Sequence, residues 1–189
     1  MKIFVDMDGT LNEFTDHFIN YANQIYQENF SINSKEQVDY DLTKHPCFAG
    51  MKDTAAIRNT IFSTPGFWET APVMKDSREV LQQIYNTHDT YILTAPFFPY
   101  EDCCKEKIRW MRRNYPFFNV KKMIFANDKF LLNGRDSILI DDHPKNIELW
   151  GGKTIKMSYA YNSTTSATHA ADGWQDVAEI FSKFYRGEK

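Results

Sequence analysis

Two carboxylates one residue apart, at the end of a short apolar run, constrain this chain more than any other feature. Residues 2–5 (KIFV) are mostly apolar and predict a buried strand of a parallel sheet. That strand runs straight into Asp6-Met7-Asp8-Gly9-Thr10. Crowding two like charges at a sheet edge raises the cost of ionising each. The arrangement makes sense if a cation sits between the carboxylates, or if one of them does chemistry. The carboxyl end of parallel strands is also where α/β folds bind ligands. A solvated strand end is the plain alternative for Asp-x-Asp alone, and a second acidic pair, Asp141-Asp142, weighs against it.

Composition narrows the class. A chain of 189 residues with 42% apolar side chains suffices for one core domain with an inserted subdomain. The formal charge of −3 gives no general affinity for DNA or RNA, so no polymeric nucleic acid partner is expected. The cysteines, Cys47, Cys103 and Cys104, form no Cys-x-x-Cys pair, which suits a reducing, cytoplasmic setting. No run of about 18 apolar residues predicts a membrane span. No cleavable leader is expected ahead of a strand that starts at residue 2.

Along the chain, a helix follows to about residue 29, N-capped by Thr15 or Asp16, with Phe18, Ala22 and Ile25 at helical spacing. A polar, irregular stretch covers 31–44, and a second helix is expected over 52–62, stopped by Thr64-Pro65-Gly66. From residue 75 helices and strands alternate. Asp76 has capping-box spacing to Glu79, ahead of a helix ending near Asn86. Strands are expected over 89–94, 122–126, 137–142 and 154–157, and helices over 101–114, 144–150 and 174–185. Residues 158–172, rich in Ser, Thr and Ala, read as a surface loop. The fold class is therefore α/β, a Rossmann-type parallel sheet flanked by helices. Its core is expected from residues 1–14 and 74–189, with 15–73 a helical insertion.

Each candidate functional group falls at or just after a strand end: Asp6 and Asp8, then Thr94, then Asn127-Asp128-Lys129, then Asp141-Asp142. In a parallel sheet these ends share one edge. Carboxylates, a hydroxyl and an ammonium together describe a hard oxygen site for Mg²⁺ beside donors for phosphate. One Asp would attack phosphorus to give an acyl-phosphate, which water then hydrolyses. A second carboxylate would protonate the leaving oxygen and later deprotonate the water. Thr and Lys would hold the phosphoryl oxygens, and Mg²⁺ would offset developing charge.

Asp6-Met7-Asp8-Gly9-Thr10, Thr94, Lys129 and Asp141-Asp142 resemble the four motifs of the haloacid dehalogenase (HAD) superfamily of phosphohydrolases. A closer resemblance, to the 5′(3′)-deoxyribonucleotidases including bacterial and phage members, covers nearly the whole chain. It rests on residues 6–8 with Phe14, and on 65–68, 105–110, 139–145 and 173–177. The resemblance implies that Asp6 is nucleophile and Mg²⁺ ligand. Asp8 is then general acid/base and ligates through its main-chain oxygen. Asp142 is implied as the third protein ligand, with Asp141 as a further ligand or an acceptor behind it. Thr94 and Lys129 would bind phosphate, joined by Lys107, and Phe14 and Trp68 would pack around a nucleoside. The insertion becomes a small cap. Ala95 follows Thr94 where many members carry Ser, so that hydroxyl is missing.

The expected activity is thus Mg²⁺-dependent hydrolysis of (deoxy)nucleoside monophosphates by a monomer or homodimer. One alternative keeps the chemistry and takes a sugar phosphate. Another is a non-catalytic phosphate- and Mg²⁺-binding module, against which the acid at Asp8 argues. Structural alternatives stand beside single residues: Phe14 and Trp68 as core, and Lys107 as the solvated face of its helix. The basic run from Lys105 to Arg113, diluted by Glu101, Asp102 and Glu106, also reads as a solvated face.

Overall fold

The opening apolar run forms β1 (Lys2–Val5), and everything else is placed around it. The computed structural model describes residues 1–31, 33–132 and 134–186, so the last three residues of the expected core lie outside it. In chain order there follow α1 (Phe14–Tyr26), α2 (Thr54–Phe62), α3 (Phe67–Thr70) and α4 (Ser77–Thr87). Then come β2 (Asp89–Thr94), α5 (Cys103–Asn114), β3 (Met123–Phe125) and β4 (Ser137–Asp141). The chain closes with α6 (Pro144–Leu149), β5 (Lys153–Met157), β6 (His169–Ala171) and α7 (Trp174–Arg186). The described strands form one sheet in the order β3-β2-β1-β4-β5-β6. All five pairings are parallel.

Register carries the functional consequence. Val5 lies opposite Ile92 on one side and Ile140 on the other. Asp6, Thr94 and Asp141 therefore leave the sheet within two residues of a common line. The amide of Asp6 extends the ladder by donating to the Ile140 carbonyl at 2.9 Å. Ile3, Val5, Ile92, Ile138 and Ile140 face α4, α5 and α7, while Phe4, Leu93 and Leu139 face Trp150. Each fully buried side chain of this kind contributes roughly 1.5–3 kcal/mol by leaving water.

Residues between α1 and α3 build a separate apolar cluster. Phe18, Ala22, Leu42, Phe48, Ile57, Ile61, Phe67 and Trp68 are its buried members, and Cys103 of α5 joins them. The chain enters and leaves this segment side by side. The amide of Glu13 donates to the Pro72 carbonyl, and that of Met74 to the Leu11 carbonyl, both at 2.9 Å.

Three local expectations fail for physical reasons. The first helix begins at Phe14, so Thr15 and Asp16 lie inside it. Their oxygens bond forward to the insertion, Thr15 to Gln37 and Asp16 to the Ser34 amide. Asp76 stands at the N-cap of α4, but its backbone is left-handed (φ 62°) and its side chain makes no cap bond, so no capping box forms. Residues 158–172 are not simply a loop. They hold a turn of 3₁₀ helix (Ala160–Asn162) and the edge strand β6. Buried Lys156 ties this segment down, donating to the carbonyls of Asn162 and Thr165 at 2.8 and 3.0 Å.

Candidate active site

The strand ends converge on a buried group of acids. Asp6, Asp141 and Asp142 are 7%, 0% and 4% exposed, and one oxygen from each lies within 4.8 Å of the others. Lys129, on the short 3₁₀ turn after β3, is also buried. Its Nζ sits 2.6 Å from Asp6 Oδ1 and donates to Asp141 Oδ2 at 2.8 Å. Asp141 further accepts from the His143 amide at 2.7 Å and from Asn146 Nδ2 at 3.0 and 3.2 Å. Among the described residues the Asp142 carboxylate accepts only hydroxyls, from Tyr161 at 2.6 Å and Thr10 at 3.4 Å. Among the described residues it has no ion-pair partner within 4 Å. Gly9 makes this approach possible. Its φ is +71°, and a Cβ there would stand 2.8 Å from Asp142 Oδ2.

Asp8 is held apart from that group. Its Oδ2 accepts from Lys107 Nζ at 2.5 Å and its Oδ1 from Asn12 Nδ2 at 3.1 Å. Lys107 is fully buried and also donates to Thr94 Oγ1 at 2.9 Å and the Ala95 carbonyl at 2.8 Å. The solvated-face reading is therefore wrong for Lys107. It is wrong for Glu106 too, which is 2% exposed and accepts from the amides of Gly66 and Trp68 and from the Tyr100 hydroxyl. It holds for Lys105, which is exposed, while Arg109 and Arg113 pair with Glu69 across the surface.

Charge sets the chemistry. Burial pushes the Asp6 carboxyl up to about 7; Lys129 opposes the rise, and Asp141 and Asp8 add to it. Burial, then Asp141 and Asp6, also hold Asp142 well above the usual carboxylate range. Burial alone would lower Lys129, but the two aspartates outweigh it and raise it. Four carboxylates thus face two ammonium groups, and the donors are hard oxygens. Bringing a divalent cation among Asp6, Asp141 and Asp142 would relieve that excess, so the residues present fit a divalent metal ion.

An aromatic wall rises over the acids. Phe14 and Trp68 stack at 5.6 Å with 27° between planes, and Lys107 Nζ lies 4.6 Å from the Trp68 ring centre. With Phe62, Phe97, Asp8 and Gly9 they line a cavity of about 460 Å³. A wider cavity of about 850 Å³ opens beside the start of α7 and contains none of the acids, so chemistry rather than volume locates the site. All the sequence-derived site residues, Asp6, Asp8, Phe14, Trp68, Thr94, Lys107, Lys129, Asp141 and Asp142, are brought together by these contacts. Asn12, Glu106, Asn146, Tyr161 and Tyr40 were not anticipated. Only Glu106 carried a signal: with Lys107 it lies three or four residues from Cys103 and Trp110, on the buried face of α5.

A parallel sheet with Asp-x-Asp ending its central strand and Asp-Asp ending the neighbouring one defines the class, a HAD-type hydrolase fold. Solved structures share it. YfnB from Bacillus subtilis, a HAD-hydrolase by assignment and bound to magnesium, superposes with a TM-score of 0.61 at 14% identity, covering 95% of this chain and 97% of its own. A HAD-family hydrolase from Deinococcus radiodurans with bound phosphate and sodium also reaches 0.61, at 9% identity and covering 96% and 95%. Within that class, residues 1–185 match the family described as 5′ nucleotidase, deoxy (Pyrimidine), cytosolic type C protein, and the chain belongs to it. It is similar to a 5′(3′)-deoxyribonucleotidase of Clostridium acetobutylicum, 24% identical over 93% of this chain and 92% of that protein. A Staphylococcus epidermidis protein provisionally assigned the same activity is 25% identical over 96% of each. The chain is accordingly an enzyme, a hydrolase of the phosphatase class.

Proposed function

We propose that this protein hydrolyses (deoxy)nucleoside monophosphates to nucleoside and phosphate through a phosphorylated Asp6. The observation that carries the reading is the separate tethering of the two acids: Asp6 by Lys129, and Asp8 by Lys107 and Asn12. A carboxylate oxygen of Asp6 attacks phosphorus while Asp8 protonates the leaving ester oxygen, releasing the nucleoside. Asp8, now a carboxylate, takes a proton from a water molecule. That water attacks the phosphorus, breaks the acyl–phosphate bond, frees phosphate and restores Asp6. Thr94, Lys107 and Lys129 hold phosphoryl oxygens. Magnesium, held by Asp6, Asp142 and the main-chain oxygen of Asp8 with Asp141 behind, would screen the nucleophile from the phosphate and offset developing charge.

The wall supports a nucleoside as the leaving part. Half-buried Phe14 offers an aromatic surface to a base, backed by the buried Trp68 ring stacked on it, and such stacking tolerates different bases. Residues 15–73 then act as a cap with its own apolar cluster, excluding water from the acids. The family description is of a cytosolic type, which supports a cytoplasmic enzyme acting on a small nucleotide. No helix among the described residues is long and apolar enough to cross a membrane.

The test is phosphate release from dUMP, dTMP, purine nucleotides, a sugar phosphate and an aryl phosphate. Wild type should prefer nucleotides and lose activity on chelation. D6N should fall below roughly one thousandth of wild-type turnover while melting normally. Undiminished turnover by D6N would sink the mechanism. Preference for the sugar phosphate would sink the substrate class alone.

A further inference from the structure

Tyr40 belongs to none of the strands or long helices that form the site, yet it reaches it. It sits between the 3₁₀ turns Ser34–Glu36 and Leu42–Lys44. Its carbonyl accepts from Nε2 of buried Gln37 at 3.2 Å, and Gln37 Oε1 accepts from Thr15 Oγ1 at 2.5 Å. The Asp39 carboxylate holds the next amide, that of Asp41, at 2.9 Å. The turn is thereby fastened to the start of α1, just after the loop that carries Asp8.

The ring packs against residues that follow the acid pair. It lies against the His143 imidazole with centroids 3.8 Å apart, and edge-on to Tyr161 at 5.7 Å. Tyr161 is the residue whose hydroxyl bonds Asp142. These packing contacts engage the Tyr40 ring rather than its hydroxyl.

Tyr40 is 45% exposed and lines the 460 Å³ cavity with Asp8, Gly9, Ala95 and Asp142. Among the described residues its hydroxyl makes no hydrogen bond. A phenol is protonated near neutral pH, so the hydroxyl is available as a donor. Ala95, beside Thr94, brings only a methyl side chain to the same cavity. A phosphoryl group seated against Asp6 would bring acceptor oxygens to a donor that has none.

We propose that Tyr40 is a phosphate-binding residue, its hydroxyl donating to a phosphoryl oxygen of the bound monoester and of phosphorylated Asp6. This rests on the phosphomonoesterase reading and adds to it a contact delivered by the insertion. A hydrogen bond to an ionised acceptor is worth about 10- to 100-fold.

Y40F keeps the ring on His143 and removes only the hydroxyl. The full chain is compared with wild type in two ways. One is kcat/KM on a pyrimidine deoxynucleoside monophosphate, a purine one and glycerol phosphate. The other is calorimetric affinity for inorganic phosphate in MgCl₂. kcat/KM should fall about 10- to 100-fold by the same factor on every substrate, phosphate affinity should fall about tenfold or more, and the melting temperature should not move. Unchanged phosphate affinity, or a loss confined to one nucleobase, overturns the proposal. A wild type that hydrolyses none of the three overturns the phosphomonoesterase reading instead, and the calorimetric comparison still decides on Tyr40.

Discussion

The acid floor and the aromatic wall of this site are built in opposite ways. The floor comes from ends of adjacent parallel strands whose register places Asp6, Thr94 and Asp141 side by side. Its geometry is secured by backbone ladders, and its cost is charge. The wall comes mostly from residues between α1 and α3, on short helices packed through their own cluster, with Phe97 from the loop after β2. It carries little charge, and its geometry depends on a few long-range contacts. One of them is Glu106 on the amides of Gly66 and Trp68, reaching across 40 and 38 residues of sequence. On the proposed mechanism the lesson is a division of labour: a stiff element would hold the reacting groups, and a separately packed one would meet the variable part of the substrate.

Lys107 touches both regions, so it gives the sharpest way to break the distinction. K107M removes the ammonium from Asp8 and Thr94 and from the Trp68 face. kcat/KM should fall about 10²–10³-fold on every phosphomonoester, as for loss of a charge-stabilising donor. A loss restricted to nucleotides would assign Lys107 to the wall and undo the division. W68L is the next largest. KM for nucleoside monophosphates should rise about tenfold as Phe14 loses the ring that backs it, with glycerol phosphate turnover unchanged. Equal losses on both would mean that the wall shapes the floor. E106Q is the smallest. A Gln amide cannot accept from both backbone amides and the Tyr100 hydroxyl as the carboxylate does, so stability should drop by about 1 kcal/mol and Tm by about 3 °C. The KM change should stay below that of W68L. An unchanged Tm would show that Glu106 does not hold the wall.

The same contrast explains what could be read in advance. The floor was legible because an apolar run marks a buried strand and the acids follow it directly. Parallel topology then assembles them without further information. The wall was legible only as residue types. That Phe14 stacks on Trp68, or that Glu106 anchors it, depends on contacts across dozens of residues that no local pattern encodes. Lys107 and Glu106 were within reach, since their spacing to Cys103 and Trp110 puts them on the packed face of α5. Their charge argues for a solvated face, and their periodicity for the packed one. The segment 158–172 misled differently. Three residues, His169 to Ala171, are too few to show strand alternation, and Tyr161 was hidden with them.

The paired hydrogen bonds at Leu11, Glu13, Pro72 and Met74 have a consequence for how such a protein can diversify. The segment between residues 13 and 72 begins and ends at neighbouring points, where the chain meets it as a socket meets a module. Exchanging or resizing what lies between residues 13 and 72 leaves every strand crossover of the sheet as it is. If that segment meets the substrate as proposed, new preferences could be tried by recombination at one seam, while the acids at the strand ends stay in register.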